Sequence, residues 1–129
     1  MIRTRNSFVR SGLRGAFGDP ERLSSAIHEQ YIRPFDSPDD RKGMWVFPKQ
    51  IIGSSTWLAS LWAQRNVLQG KRFLLIWGMK DPGFGEKELQ RWSTQYTTAR
   101  VLRYDDGGHF LAEEKALEVT EGIRSLDSS

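Results

Sequence analysis

The sequence predicts an α/β protein in which two parallel strands are flanked by helices. The run 73–77 is apolar without alternation over the length of a strand, as in strands that are buried on both faces. A second strand-like run, 99–104, follows after one segment of helix length. The resulting order of helix, strand, helix, strand and helix favours parallel strands joined by a right-handed crossover.

The first clear helix is predicted to begin at Asp19. Its carboxylate can cap the helix, and Pro20 suits the first helical position because no N–H is needed there. Apolar residues then recur at helical spacing as far as Tyr31, and Pro34 ends the helix. Residues 34–50 contain three prolines and are expected to form an irregular connection.

The second half of the chain is patterned more regularly. Ser54 or Ser55 is expected to cap a helix that ends at Gly70, because a left-handed glycine commonly closes a helix. The elements predicted after it are a strand over 73–77, a helix over 86–96, a strand over 99–104 and a helix over 112–126. In that last helix, Glu113 and Glu114 are expected to complement the helix dipole from the first turn.

Composition limits the class of protein. The 129 residues are 38% hydrophobic, which suits one small domain or part of a larger one. No apolar run is long enough to cross a membrane, and no secretory signal is recognised at the start. Cysteine is not found, which excludes disulfides and thiolate chemistry and fits a reducing compartment, so a cytoplasmic location is expected.

The charge distribution leaves one alternative function open. The net charge is +3, and the chain begins with Arg3, Arg5, Arg10 and Arg14 before any acidic residue. A nucleic-acid-binding module would bind DNA through these arginines with strong salt dependence. Because the rest of the chain is nearly balanced in charge, a solvated helix face is favoured, and neither a nucleic-acid nor a membrane partner is expected.

Two ionisable residues follow the two predicted strands. Asp81 lies four residues after Trp77, and His109 lies five residues after Tyr104. Because sites in such sheets form beyond the carboxyl ends of the strands, both side chains are expected at one edge. A carboxylate that accepts a hydrogen bond from imidazole sets its tautomer and stabilises the imidazolium, so the pair predicts the acid and base of a catalytic triad. The alternatives are a structural Asp-Pro-Gly turn and a histidine in a surface loop.

A nucleophile for this pair is not found in the sequence. A nucleophile elbow needs small residues around the nucleophile, between a strand and a helix. The nearest segment is 53–57, but Trp57 stands where a small residue is required, and Pro48 precedes it where a strand should run. No metal-ligand cluster, phosphate loop or dinucleotide fingerprint is recognised, so neither a metal nor a cofactor is expected.

These segments resemble the carboxyl-terminal part of the α/β-hydrolases, most closely the haloalkane dehalogenase group. The resemblance is carried by 75–84, Trp92, 99–101 and 106–114, and by 31–35, Arg41 and 47–48. It implies that residues 1–50 are the end of a helical cap and its return connection. Residues 51–129 would then be the carboxyl-terminal part of the core, with the last two parallel strands.

The resemblance also implies a chemistry. Asp81 matches the acid after the seventh strand of the family fold, and His109 matches the histidine after the eighth. In the full-length family an aspartate forms an alkyl-enzyme ester, and the histidine activates the water that hydrolyses it. Phe84 and Phe110 would line the pocket for a small apolar organic substrate. The nucleophile lies upstream in the family, so this chain alone is expected to be inactive.

Partners and competing functions stay open at this point. Two strands that are buried on both faces cannot bury their own edges, so further strands are required. These come from residues outside the sequence, from a chain that supplies the amino-terminal half, or from self-association. Epoxide hydrolysis and the cleavage of esters or β-lactones are alternatives to dehalogenation. A non-catalytic remnant or partner-bound module is the alternative to an enzyme.

Overall fold

The computed structural model describes residues 2–127, which belong to two compact units. The first unit comprises Met1–Leu13 and Ser24–Gly70. The second comprises Arg14–Leu23 and Lys71–Ser129. The predicted division into a cap (residues 1–50) and a core (residues 51–129) describes parts of a larger fold rather than compact units of this chain, so it stays a prediction.

The described residues form eight α-helices, two strands and several single turns of other helix types. The helices are α1 (Ile2–Arg5), α2 (Leu13–Gly15), α3 (Ser25–Ile32), α4 (Lys42–Gly53), α5 (Ser55–Ala63), α6 (Glu86–Gln95), α7 (Leu111–Glu114) and α8 (Ala116–Asp127). The strands are β1 (Leu74–Gly78) and β2 (Arg100–Tyr104). A π-helical turn covers Phe8–Gly12, and 3₁₀ turns cover Pro20–Arg22, Arg33–Phe35 and Arg65–Leu68.

The helix predicted to begin at Asp19 is two elements. The Asp19 carboxylate accepts a hydrogen bond from the Glu21 N–H, but it caps only the 3₁₀ turn that contains Pro20. Helix α3 begins afterwards, where the Ser24 hydroxyl accepts from the Ile27 N–H at 3.2 Å. Both starts have a local cap, and the sequence pattern alone did not show which cap the longer helix uses.

The prediction of an irregular connection over 34–50 is wrong from residue 42 onward. Helix α4 covers Lys42–Gly53 and contains Pro48 in its interior. A proline there removes one helical hydrogen bond and costs about 3 kcal/mol. Helix α4 contacts α1 in the first unit, but none of its own residues is buried, so packing does not explain why the helix continues through Pro48.

Between residues 54 and 70 the prediction is partly correct. Helix α5 and a 3₁₀ turn occupy the segment, and Gly70 has a φ of +79°, as expected of a left-handed closing residue. Neither predicted serine caps α5: Ser54 makes no capping bond, and the Ser55 hydroxyl donates back to the Ile52 carbonyl. The segment 53–57 joins two helices, which is not the strand-to-helix setting of a nucleophile elbow.

The sheet agrees with the prediction of two parallel strands. β1 pairs with β2 in parallel, in a register that runs from Leu74 opposite Arg100 to Gly78 opposite Tyr104. Helices α6 and α8 both contact β1. The buried apolar side chains of this unit include Phe17, Leu23, Leu75, Leu89 and Tyr96.

The carboxyl-terminal helix is interrupted. The predicted helix over 112–126 is present as α7 and α8, with a break at Lys115. Among residues 2–127, no helix combines the length and the apolar character that crossing a membrane requires.

Candidate active site

Asp81 and His109 meet beyond the carboxyl ends of β1 and β2. His109 Nδ1 lies 2.8 Å from Asp81 Oδ2, which is a hydrogen-bond distance. The Asp81 side chain is 10% exposed and the His109 side chain is 45% exposed. The structure therefore brings together the two residues that the sequence predicts as acid and base, with the carboxylate sheltered and the imidazole accessible.

The turn after β1 orients the Asp81 carboxylate. Its Oδ1 atom accepts hydrogen bonds from the Gly83 N–H at 2.7 Å and the Phe84 N–H at 3.1 Å. These two bonds hold one oxygen within the turn and leave Oδ2 to His109. The Asp-Pro-Gly turn and the acid role are thus compatible, because they use different oxygens of one carboxylate.

The loop that carries His109 is held by backbone contacts. The His109 N–H donates to the Ala16 carbonyl at 2.8 Å, and the Lys80 N–H donates to the Gly107 carbonyl at 2.9 Å. A Cβ atom on Gly108 would lie 2.3 Å from Gly18 N, so only glycine permits this approach of two backbones. The segment 16–18, the turn after β1 and the histidine loop are therefore joined.

Two aromatic rings lie next to the imidazole. The Phe84 ring is stacked with His109 at a centroid distance of 6.0 Å, and the Phe110 ring meets it edge-on at 5.3 Å. Trp77 Nε1 donates to the Phe84 carbonyl at 2.7 Å. Phe110 is also stacked on Phe17 at 5.3 Å. Both predicted pocket phenylalanines thus lie beside the histidine, one with its ring nearly parallel to the imidazole and one edge-on to it.

A cleft of about 250 Å³ opens beside the pair. Its lining includes Ile76, Trp77, Asp81, Phe84, His109 and Leu111. Phe84 belongs to this lining, whereas Phe110 is directed toward Phe17. An apolar wall with two convergent polar groups is the usual composition of a site for a small organic ligand.

No protein-family model matches the chain, but comparison with curated proteins finds relatives. Haloalkane dehalogenase 2 of Mycobacterium tuberculosis is 32% identical over 108 residues, which cover 82% of this chain and 38% of the relative. The protein of the same name from Mycobacterium bovis matches to the same extent. The chain is a relative of the α/β-hydrolases.

A second kind of α/β-hydrolase relative covers more of the chain. Cis-3-alkyl-4-alkyloxetan-2-one decarboxylase of Xanthomonas campestris is 25% identical over 130 residues, which cover 97% of this chain and 43% of that protein. The chain therefore spans less than half the length of the curated relatives it matches. The α/β architecture of the second unit, with its parallel strand pair, agrees with the carboxyl-terminal portion of such a fold.

One site residue was missed by reasoning from the sequence. Glu114 was expected to complement a helix dipole, but its carboxylate is buried and accepts hydrogen bonds from the N–H groups of Gly18, Asp19 and Gly108. These contacts join residues up to 96 positions apart. No local sequence pattern predicts a contact of that range. The one signal in the sequence is that an acidic residue, Glu114, follows the Gly-Gly-His turn by five positions.

Charged side chains on the outer side of the histidine loop form ion pairs. Lys115 Nζ lies 2.7 Å from Asp106 Oδ2, and Arg22 Nη2 lies 3.6 Å from the same oxygen. The hydrogen bond from Lys115 is the main cause that lowers the pKa of Asp106 below its ordinary value. Within the described part of the chain, no group of three or more His, Asp or Glu side chains is arranged to hold a metal ion.

Proposed function

We propose that this chain carries the acid and the base of a haloalkane-dehalogenase-like hydrolase, with Asp81 as the acid and His109 as the base. The observation that carries the proposal is the 2.8 Å contact between His109 Nδ1 and Asp81 Oδ2 at the edge of an apolar cleft. When Nδ1–H is donated to a carboxylate, Nε2 holds a lone pair and can accept a proton from water.

The reaction then has two steps. In the first, an aspartate nucleophile on another segment displaces halide from carbon, which forms a C–O ester bond as the carbon–halogen bond breaks. In the second, water attacks the ester carbonyl while His109 Nε2 takes its proton. The negative charge of Asp81 stabilises the imidazolium that results. The acyl C–O bond breaks, the alcohol leaves with the proton, and the carboxylate is restored.

The substrate proposed for this site is a small apolar organic molecule. Ile76, Trp77 and Phe84 form apolar walls, and a cleft of about 250 Å³ leaves room for only a small ligand. The two residues assigned here are needed only for the proton relay. An oxetan-2-one ring is therefore the second candidate substrate, since the Xanthomonas relative that covers 97% of the chain is named for that class.

The nucleophile and the remaining strands are proposed to come from a polypeptide that carries the amino-terminal part of the fold. Three observations support this. The chain covers 38% of the length of haloalkane dehalogenase 2, and its described sheet has two strands. Large apolar side chains in the first unit are also exposed, including Phe47 at 66%, Ile52 at 79% and Trp57 at 61%. On this proposal, residues 1–50 are the end of the helical cap.

Reconstitution tests the proposed function. The chain is co-expressed with an amino-terminal α/β-hydrolase fragment that carries the aspartate nucleophile, and halide release from a short haloalkane is measured. We expect turnover by the pair and none by the chain alone. His109→Ala should release halide once per enzyme and then stop, because the ester still forms but is not hydrolysed.

Asp81→Asn tests the acid, and Asp105→Asn is its matched control. Asp105 has an 82% exposed side chain that pairs with Arg103, so its change should leave turnover unaltered, whereas Asp81→Asn should reduce it by at least about tenfold. Carbon dioxide release from an oxetan-2-one without halide release would select the second substrate class. Turnover that survives His109→Ala would contradict the assignment of the base.

A further inference from the structure

Glu114 is a buried acid whose carboxylate is surrounded by backbone N–H groups. The residue is 8% exposed. Its Oε1 atom accepts from the Gly108 N–H at 2.9 Å and from the Gly18 N–H at 3.1 Å. Its Oε2 atom accepts from the same Gly18 N–H at 3.0 Å and from the Asp19 N–H at 3.2 Å.

Backbone donors, rather than a salt bridge, compensate this carboxylate in the residues described. The guanidinium of Arg22 donates to the main-chain oxygen of Glu114 at 2.7 Å rather than to its carboxylate. A buried carboxylate is costly unless it is hydrogen-bonded, and bonds from N–H groups to an ionised oxygen are about twice as strong as neutral ones. The loops that supply these N–H groups are therefore held in place by the charge of Glu114.

The contacts of Glu114 fall on both sides of His109 in sequence. Its side chain binds the Gly108 N–H, and its own N–H donates to the Phe110 carbonyl at 3.1 Å. The peptide N–H of His109 meanwhile bonds to Ala16, in the segment whose Gly18 is bound by the same carboxylate. The backbone that aims the imidazole is thus held before, at and after His109.

We propose that Glu114 is a positioning residue that holds the His109 imidazole against Asp81. It does so by joining the segment 16–19 to the loop 107–110 through one ionised carboxylate. This catalytic positioning role of Glu114 rests on the proposed function, since Asp81 and His109 are the proposed acid and base. The physical effect, however, is an orientation that can be measured without any turnover.

The choice of variant follows from the direction of the hydrogen bonds. Both oxygens of Glu114 face N–H donors, so an amide NH₂ in place of either one would oppose a donor. Glu114→Gln therefore keeps the shape and one acceptor oxygen, but it loses the negative charge and places an NH₂ group against a backbone donor. Glu114→Asp keeps the charge but is one methylene shorter, so it should retain contact with only one of the two loops.

The experiment is ¹⁵N NMR of the imidazole rings in the full chain at alkaline pH, where the nitrogen shifts report the neutral tautomer. The chain has two histidines, so His28 supplies an internal reference. In the unsubstituted protein, His109 should be mainly the Nδ1–H tautomer, because Nδ1 faces Asp81. In Glu114→Gln the signal should shift toward the Nε2–H form that free histidine prefers, and Glu114→Asp should lie between the two.

Two controls separate positioning from general stability. Glu118→Gln changes an exposed acid at the start of α8 and should leave the tautomer of His109 unchanged. Leu89→Ala removes a side chain that is 4% exposed in α6 and should lower the unfolding midpoint, also without changing the tautomer of the folded fraction.

Each result decides between the claims. A Glu114→Gln protein that folds with an unchanged His109 tautomer would overturn the positioning role and leave the proposed function standing. An unsubstituted protein whose His109 is mainly Nε2–H would overturn the Asp81–His109 pair and with it the proposed function. If Glu114→Gln does not fold, Glu114→Asp decides, and a tautomer identical to that of the unsubstituted protein counts against the inference.

Discussion

At the scale of single residues, the site depends on how closely backbones approach one another. A Cβ atom on Gly18 would lie 2.1 Å from the Asp106 carbonyl oxygen and 2.7 Å from Gly108 N. Both are backbone atoms, which cannot rotate aside as a side chain does. The glycine at this position is therefore required by the contact between the segment 16–18 and the histidine loop.

Gly18→Ala should consequently lower the free energy of unfolding. Forcing a methyl group into a filled position costs about 1–3 kcal/mol, which chemical denaturation can resolve. The matched control is Gly15→Ala, since a Cβ on Gly15 would have no atom within 4 Å. That control should be neutral or stabilising by up to about 1 kcal/mol. Equal stability of the two variants would contradict the close approach.

The pair of Lys115 and Asp106 makes a prediction about pH. The pKa of Asp106 is lowered in the folded protein, chiefly by the hydrogen bond from Lys115. A carboxyl whose folded pKa is depressed stabilises the protein above its unfolded pKa, and this contribution is lost as the pH falls through the folded value. The loss therefore lies in the acid range, below the ordinary aspartate pKa of about 4.

Lys115→Gln should raise the pKa of Asp106 toward its ordinary value, because the largest cause of the shift is removed. Titration of the carboxyl carbon by NMR measures the change directly. Lys87→Gln alters an exposed lysine on α6 and should leave the pKa of Asp106 where it is. If the pKa of Asp106 is the same in Lys115→Gln and in Lys87→Gln, a group other than Lys115 lowers it.

At the scale of elements, α4 contains a proline in its interior, which destabilises the helix. Pro48 has no N–H to donate to the carbonyl of Met44, four residues earlier. Pro48→Ala should restore that bond and raise the free energy of unfolding by about 2 kcal/mol, which is the helix penalty less the entropy that proline removes from the unfolded chain.

Thermal unfolding followed by far-ultraviolet circular dichroism measures this effect of Pro48→Ala. The control is Pro38→Ala, which lies in the turn before α4, and it should not increase the helical signal. A less stable Pro48→Ala protein would mean that the proline ring contributes contacts that outweigh the missing hydrogen bond.

The strand elements follow simpler rules, and their outcome was accessible from the sequence. Continuous apolar character over 73–77 predicts burial on both faces. Helices α6 and α8 both contact β1, but only Leu75 and Gly78 of the strand are buried and its other residues are half-buried. Burying one large aliphatic side chain such as Leu75 contributes about 1.5–3 kcal/mol, so the strand position is determined strongly by its own residues. The predicted first strand, 73–77, is shifted by one residue at each end from the observed Leu74–Gly78, and the predicted second strand, 99–104, begins one residue before the observed Arg100–Tyr104.

At the scale of the whole molecule, two consecutive helices, α4 and α5, expose large apolar side chains, which is a feature of surfaces that bind a partner. We define the α4–α5 apolar surface as the exposed side chains Trp45, Phe47, Ile51, Ile52, Trp57, Leu58 and Leu61. The exposed fractions of Phe47, Ile52 and Trp57 all exceed 60%. Without the proposed polypeptide, the partner that remains for this surface is a second copy of the chain.

The isolated chain should therefore self-associate, and light scattering after size exclusion should report a mass above 14.9 kDa. Replacing Phe47, Ile52 and Trp57 together with Gln should shift the mass toward the monomer. Leu117→Gln, which changes a 77% exposed side chain on α8, should not. A sharp monomer for the unsubstituted chain would argue against the requirement for further strands.

The sequence by itself determined the parallel strand pair, the left-handed Gly70 and the placement of Asp81 and His109 beyond neighbouring strand ends. Each of these depends on residues close together in the chain, where apolar patterning and turn chemistry act directly. Only the tertiary structure decided that a helix forms through Pro48 and that Glu114 binds the segment 16–19. The contacts of Glu114 join segments that are up to 96 positions apart in the chain, and local sequence preferences do not encode contacts of that range.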